Sequence, residues 1–198
     1  MIHGVHGLWA KLNKTHMSKL IRLLRKDGYP CEEFNYNFTC VIDTFLRLLE
    51  ISNANRLLLK VKSGDSIAAH SYGCAITWRM LESLGEYNED HSDHPLFLKN
   101  IYLFNAALDA EIKFDTRYVK NIYVFYDKRD WLIHLANLIP DNIMGAMGKK
   151  GALRPDPKVH NIEITENNVN IISSHFTVFN NHENLRKYCD FIEQREQE

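Results

Sequence analysis

The sequence has no hydrophobic run that could cross a membrane, since no window holds the roughly 18 apolar residues that a span requires. The amino-terminal residues MIHGVHGLW lack a basic region followed by a long apolar stretch, so no secretory signal is predicted. The formal net charge is only -1. A chain with so little excess charge has no general attraction to nucleic acid or to anionic membranes. We therefore expect neither a nucleic-acid partner nor an integral membrane association.

Cysteine is scarce, and its spacing is uninformative for metals or disulfides. The four cysteines stand far apart without a CxxC pair, which favours a reducing cytoplasm over an oxidising compartment. There are no internal repeats and no low-complexity tract. With 198 residues, 45% of them hydrophobic, the chain suffices for one domain over residues 1–198 with its own core.

Segments of helical and strand periodicity alternate along the chain. Helices are predicted at 15–26, 45–59 (with a break at 52–53), 75–81, 131–138 and 183–194, and strands at 31–36, 67–70, 98–108, 118–126 and 160–165. Residues 85–95 are predicted to form a polar loop, and the Gly-, Lys- and Pro-rich residues 145–157 a mobile loop. This alternation predicts an α/β fold, a three-layer α/β/α sandwich with a mostly parallel central sheet.

The stretch DSIAAHSYGCA at 65–75 is typical of a strand, a sharp turn and a helix. A serine at such a turn requires small residues two positions before and after it, and Ala69 and Gly73 meet that requirement. The side chain of Ser71 would then project above the sheet. The backbone N–H of Tyr72 would point into the same space, where it could stabilise a developing negative charge.

A second unusual segment, HGVHG at 3–7, follows the strand predicted to end at Met1-Ile2. A glycine-containing loop after a strand lets backbone N–H groups approach a ligand closely. Its two histidines have no carboxylate or cysteine nearby, so the usual metal-ligand sets are not formed. We expect no metal and no cofactor.

A serine nucleophile requires a base, and that base requires an orienting acid. Catalytic side chains of a parallel sheet lie just past the carboxyl ends of its strands. By that criterion His175 is the predicted base and His182 the alternative. Asp130 is the predicted acid, since it can also cap the following helix, and Asp109 and Asp127 remain second and third choices.

The order Ser71, Asp130, His175 is the order of nucleophile, acid and base in α/β-hydrolases. The chain resembles a small α/β-hydrolase of the lipase/esterase type over nearly its whole length. The residues that carry the resemblance are HGVHG at 3–7, AHSYG at 69–73, VFYDKRD at 124–130 and SSH at 173–175. The resemblance implies an oxyanion hole formed by the N–H groups of Val5 and Tyr72.

The resemblance also implies a minimal hydrolase core with an open site, because the usual first strands and the usual lid insertion are missing. Residues 145–157 are then the candidate cover. Three aromatic residues near the proposed site could line a pocket for an acyl group: Trp9, Trp131 and Phe176.

The predicted activity is hydrolysis of a carboxylic ester through an acyl-enzyme, with a small ester or acyl compound as substrate. An amidase, a thioesterase or an acyltransferase on the same core is an alternative. A catalytically silent binding module is another, because a fold does not determine a function.

Overall fold

The computed structural model describes residues 1–7, 16–34, 47–136, 145–165, 171–179 and 182–198, without the side chains of 47–49, 134–136 and 171–173. Trp9, which was predicted to line a substrate pocket, lies outside these residues. Within the described part of the chain, no helix is long and apolar enough to span a bilayer.

In the described part of the chain, six strands form a central sheet. Its strands are β1 (Ile2–Val5), β2 (Cys31–Phe34), β3 (Ser66–His70), β4 (Leu98–Phe104), β5 (Val119–Tyr126) and β6 (Val159–Glu163). They lie in the order β2-β1-β3-β4-β5-β6, and every adjacent pair is parallel. The predicted α/β class with a parallel sheet is therefore confirmed.

Helices cover both faces of this sheet. They are α1 (His16–Lys26), α2 (Arg47–Leu58), α3 (Tyr72–Asp90), α4 (Trp131–Ala136), α5 (Met147–Lys150) and α6 (His182–Gln197), with a 3₁₀ helix at Ile171–Phe179. One core contains side chains of α2 and α3, and the other contains side chains of α1 and α6. This is the predicted three-layer sandwich.

Strand β3 shows how the sequence specifies this arrangement. Ile67 and Ala69 point into the core on the α2–α3 side, whereas Ala68 points into the core on the α1–α6 side. All three are fully buried. Successive side chains of a strand point to opposite faces, and a strand covered on both faces is apolar throughout.

The amino end of the sheet is tied to the last helix through Glu196. Its Oε1 accepts hydrogen bonds from Ser66 Oγ at 2.8 Å, Tyr102 Oη at 2.7 Å and Asn100 Nδ2 at 3.0 Å. These donors belong to strands β3 and β4, so one carboxylate of α6 joins the two central strands. Burial and the neighbouring Glu196 carboxylate raise the pKa of the Tyr102 hydroxyl. Tyr102 therefore remains protonated and can donate this hydrogen bond.

Two expectations about helices are wrong. Residues 85–90 continue α3 instead of forming a loop. Asn88 is buried, and its side chain binds the backbone N–H and C=O of Leu96, which ties the following loop back to the helix. The expected break at 52–53 is also absent, because α2 is continuous over Arg47–Leu58 and buries Asn53.

The segment 145–157 is also different from the expected mobile loop. It contains α5, whose Met147 is fully buried. The N–H of Gly148 donates to Ala106 at 2.8 Å, and its C=O accepts from Asp127 N–H at 2.9 Å. Residues 145–151 are therefore packed beside the ends of β4 and β5 and do not form a free cover.

Candidate active site

Ser71 lies at the turn between β3 and α3 in a conformation that side chains rarely adopt. Its φ is 55° and its ψ is -123°. For a residue other than glycine this conformation costs free energy, on the order of 1–3 kcal/mol, and such strain concentrates at functional sites. The turn is held by hydrogen bonds from Ser71 N–H to Phe104 O at 3.0 Å and from Cys74 N–H to Ser71 O at 3.0 Å.

The small residues around Ser71 have a steric reason. A Cβ on Gly73 would collide with the carbonyl oxygens of Val5 and His6, and a Cβ on Gly7 would lie 2.9 Å from Ser71 Cβ. The segment at the end of β1 therefore runs directly past the turn. The sequence predicted this proximity of the two motifs only through the family resemblance.

Asp130 and His175 form a buried hydrogen-bonded pair. His175 Nδ1 lies 2.7 Å from Asp130 Oδ2, and both side chains are almost fully buried. A carboxylate can only accept, so His175 Nδ1 carries a proton and donates it to this hydrogen bond. Asp130 Oδ1 also accepts the N–H of Ile133 at 3.2 Å, as predicted for a residue that caps α4.

Asn105 is a residue of this site that the sequence did not indicate. It follows β4 with a φ of 46°, and its Nδ2 donates to Asp130 Oδ2 at 2.9 Å. The same carboxylate oxygen thus accepts hydrogen bonds from both His175 and Asn105. With three donors, the carboxylate of Asp130 is held in one orientation. The sequence contained only an indirect signal, a polar residue that interrupts an apolar run within the predicted strand 98–108.

The loop that contains Asp130 binds the 3₁₀ segment that contains His175 at three positions. Thr177 Oγ1 donates to Asp127 Oδ2 at 3.1 Å, and Ser174 Oγ donates to Arg129 O at 2.9 Å. The pair of Asp130 and His175 is the third contact. These side chains orient the histidine relative to the end of β5.

The other candidate acids and the other candidate base lie in different surroundings. Asp109 is exposed, and its Oδ1 accepts the N–H of Glu111 in a turn. Asp127 binds Arg129 and Thr177 rather than a histidine. His182 is exposed at the start of α6. Among the described candidates, the acid in contact with a histidine is Asp130.

His70 connects the serine turn to the histidine segment. Its Nε2 donates to the backbone oxygen of His175 at 3.1 Å, and the two rings lie 5.0 Å apart. Burial, with a further contribution from His175, lowers the pKa of His70 well below its ordinary value. His70 is therefore a neutral donor. Ser71 and His175 themselves do not share a hydrogen bond in the described residues.

The residues predicted for the oxyanion hole lie on both sides of Ser71. Tyr72 is the first residue of α3, directly after the serine. Val5 lies inside β1, in register with Phe34 and Ala69. Gly7, two residues after Val5, also passes close to Ser71, since a Cβ on it would lie 2.9 Å from Ser71 Cβ.

Two of the aromatic residues predicted to line a pocket are described. Phe176 is half-buried, with its ring centroid 5.0 Å from that of His175 and 4.3 Å from that of His16. Trp131 is half-buried beside Asp130, and its indole Nε1 is buried without a hydrogen-bond partner. In the described residues, no group of histidine, cysteine and carboxylate side chains has the arrangement of a metal site.

An all-parallel sheet between two helical layers, with a strained serine turn after a central strand, defines an α/β-hydrolase-like fold. The chain is similar to the solved structure of the ydeN gene product of B. subtilis, with 15% sequence identity and a TM-score of 0.58 over 100% of this chain and 98% of that one. At this identity the similarity shows the fold alone.

A protein named as a candidate YdeN-like hydrolase, from Pectobacterium atrosepticum, is a more distant match. Its identity is 12% and its TM-score 0.47, over 98% of this chain and 91% of that chain. No protein-family model matches the sequence. No curated protein matches it either.

Proposed function

We propose that the protein is a serine hydrolase that cleaves a carboxylic ester through a covalent acyl-enzyme. The observation that carries the proposal is the strained conformation of Ser71, with φ 55° and ψ -123°, at a turn after a central strand. Such strain persists only where the surrounding structure enforces it. In the proposed site this conformation would aim the Ser71 hydroxyl out of the sheet.

In the proposed reaction His175 Nε2 takes the proton of Ser71 as Oγ attacks the ester carbonyl carbon. The carbonyl oxygen becomes an oxyanion, which the N–H of Tyr72 and an N–H at the end of β1 would stabilise; we predicted Val5 for this second donor. One such donor contributes ~3 kcal/mol to transition-state stabilisation.

Collapse of the tetrahedral intermediate breaks the bond between the carbonyl carbon and the alkoxy oxygen. The alcohol leaves with the proton from His175, and the acyl group remains on Ser71. Water then attacks the acyl-enzyme with the same histidine as base, and a carboxylic acid is released. Asp130 holds the ring and stabilises its positive charge while the proton is carried.

The proposed substrate is a short- to medium-chain ester, whose acyl group would contact Phe176 and Trp131. Amides, thioesters and acyl transfer to another acceptor use the same covalent step. A panel of esters, thioesters and amides with graded acyl length would separate these activities.

The test is labelling with a fluorophosphonate probe, followed by mass mapping of the modified residue. We expect labelling at Ser71 in the wild-type protein and a loss of ester turnover by about 10⁴-fold or more in Ser71→Ala and His175→Ala. Ser92→Ala is a matched control, since Ser92 is exposed and lies in the loop after α3. A folded wild-type protein without labelling or turnover would favour a binding module with a silent site.

A further inference from the structure

A groove lies between helices α1 and α6, on the side of the sheet where these helices pack. Its volume is about 590 Å³, within the range of about 300–1,000 Å³ that is usual for small-molecule sites. It is lined by Lys19, Arg22, Leu23, Lys26, Phe179, His182 and Leu185. Ser71, Asp130 and His175 are not among these residues, so the groove is separate from the candidate active site.

The floor of the groove is apolar. Phe179 and Leu185 are buried, with 1% and 6% of their surface exposed, and Leu23 is half-buried beside them. Phe179 also packs edge-on against His70, at a centroid distance of 5.1 Å. Of these three side chains Leu23 leaves the most apolar surface accessible, and such surface in a concave site favours an apolar ligand group.

The rim of the groove is basic. Lys19, Arg22 and Lys26 are exposed and occupy positions i, i+3 and i+7 of α1, so they lie along one face of the helix. Helix α1 contains no carboxylate, and none lines the groove among the described residues.

These three cations form no ion pair in the described part of the chain, unlike Arg186 of α6. Arg25, on another face of α1, donates to Cys31 O at 3.0 Å, and Arg186 pairs with Asp27, Asp190 and Glu193. Three uncompensated cations along one side of an apolar groove create a local positive potential, which favours an anion.

We propose that this groove binds one molecule of a single-chain amphiphilic anion, such as a fatty carboxylate or an alkyl phosphate. The alkyl chain would lie on Leu23, Phe179 and Leu185, and the head group would contact Lys19, Arg22 and Lys26. The size of the groove matches a single small molecule, and its two kinds of surface match the two parts of an amphiphile. The proposal is independent of any catalytic activity.

The test is isothermal titration calorimetry with decanoate at low ionic strength, compared with decanol, which has no charge, and acetate, which has no chain. We expect saturable binding of one decanoate, weaker binding of decanol and no measurable binding of acetate. In Lys19→Glu/Arg22→Glu the dissociation constant for decanoate should rise about tenfold, since two exposed charge contacts are replaced by repulsion.

Two further variants locate the ligand. Leu23→Trp should fill the floor of the groove and weaken the binding of decanoate and decanol alike. Lys120→Glu is the control for charge, since Lys120 is an exposed cation on β5, and it should leave binding unchanged. Far-UV circular dichroism would verify that each variant is folded.

Three outcomes would overturn the proposal. Decanoate affinity unchanged by both groove variants would place the ligand elsewhere. Equal affinity for decanol and decanoate would show that the cations do not contribute to binding. If the protein sediments with anionic phosphatidylglycerol vesicles but does not bind decanoate, the surface recognises a bilayer instead of a single molecule.

Discussion

The carboxylate of Asp130 accepts three hydrogen bonds, from His175, Asn105 and the backbone of Ile133. Because it is buried, each donor offsets part of the cost of removing its charge from water. The side chain of Asn105 is the donor that a substitution can remove without altering the proposed triad. Its role can therefore be measured separately.

We expect Asn105→Leu to lower kcat about 10- to 100-fold, because a hydrogen bond to a charged group is worth about 1.5–3 kcal/mol. If Asn105 acts by positioning Asp130, kcat should fall by a larger factor than KM rises. The measurement is steady-state kinetics on the best ester substrate, together with the rate of fluorophosphonate labelling.

Asn88→Leu is the matched control for this substitution. Asn88 is also buried, and its hydrogen bonds tie the loop after α3 to the helix, far along the chain from Asp130. We expect it to reduce stability while the activity per folded molecule is retained. Equal kinetic losses in the two variants would argue against a specific role of Asn105.

Some features of the site could be predicted from the sequence and others could not. The turn at Ser71 has a local signature, because its steric demands fall on positions 69 and 73. The contact of Asn105 with Asp130 joins residues that are 25 positions apart, and it exists only because β4 and β5 are neighbours in the sheet. No local pattern contains that information.

At the scale of elements, the loop 127–130 and the segment 174–177 act as one unit. Asp127 is central to it, because its buried carboxylate binds Arg129 and Thr177 together. The same local arrangement, an aspartate paired with an arginine two residues later, occurs at Asp115 and Arg117, where the arginine is mostly exposed.

We expect Asp127→Asn to lower the free energy of unfolding by about 1–3 kcal/mol, since it weakens a buried charged acceptor. Asp115→Asn should lower it by less than about 1 kcal/mol, as is usual for exposed pairs. Urea denaturation of both variants gives the comparison. Asp127→Asn should also slow ester turnover, because Thr177 lies two residues after His175. Equal stability losses would contradict the proposed difference.

The segment 145–151 shows that a glycine-rich composition can wrongly indicate a mobile loop. Its glycines are typical of a mobile loop, yet a Cβ on Gly145 would collide with the backbone of Asp109 and one on Gly148 would lie 2.7 Å from Asn105 C. Glycine occurs here because two backbones pack closely. Sequence alone does not distinguish that cause from flexibility.

For the molecule as a whole, the alternation of strands and helices was enough to predict the α/β sandwich, because each strand and helix has its own periodicity. The strand order β2-β1-β3-β4-β5-β6 was not predicted. It depends on which buried faces pack together, and the periodicity of one element does not determine that. The fold class was thus easier to predict from the sequence than the contacts within the site.

Two histidines make the stability of the whole molecule dependent on pH. Burial lowers the pKa of His16 to about 4 and the pKa of His70 well below its ordinary value. In the unfolded chain both titrate near ~6.5. Below that pH the unfolded chain binds protons that the folded protein does not, so the free energy of unfolding should decrease as pH falls from about 6.5 towards 4.

Chemical denaturation at pH 7.5, 6 and 5 measures this dependence. His70→Gln removes one titrating ring and retains an N–H donor for the His175 carbonyl, so it should flatten the dependence. His160→Gln, at an exposed position on β6, should leave it unchanged. An identical pH dependence in wild type and His70→Gln would refute the contribution of His70.

The hydrogen bonds of Glu196 have a consequence for biosynthesis. The ribosome completes strands β1 to β5 by residue 126, but the acceptor that joins Ser66, Asn100 and Tyr102 is added 70 residues later. Until α6 has left the exit tunnel, these donors can only be hydrated. The amino end of the nascent sheet therefore stays open to water until α6 is made, and the strand that precedes the Ser71 turn gains this contact only then.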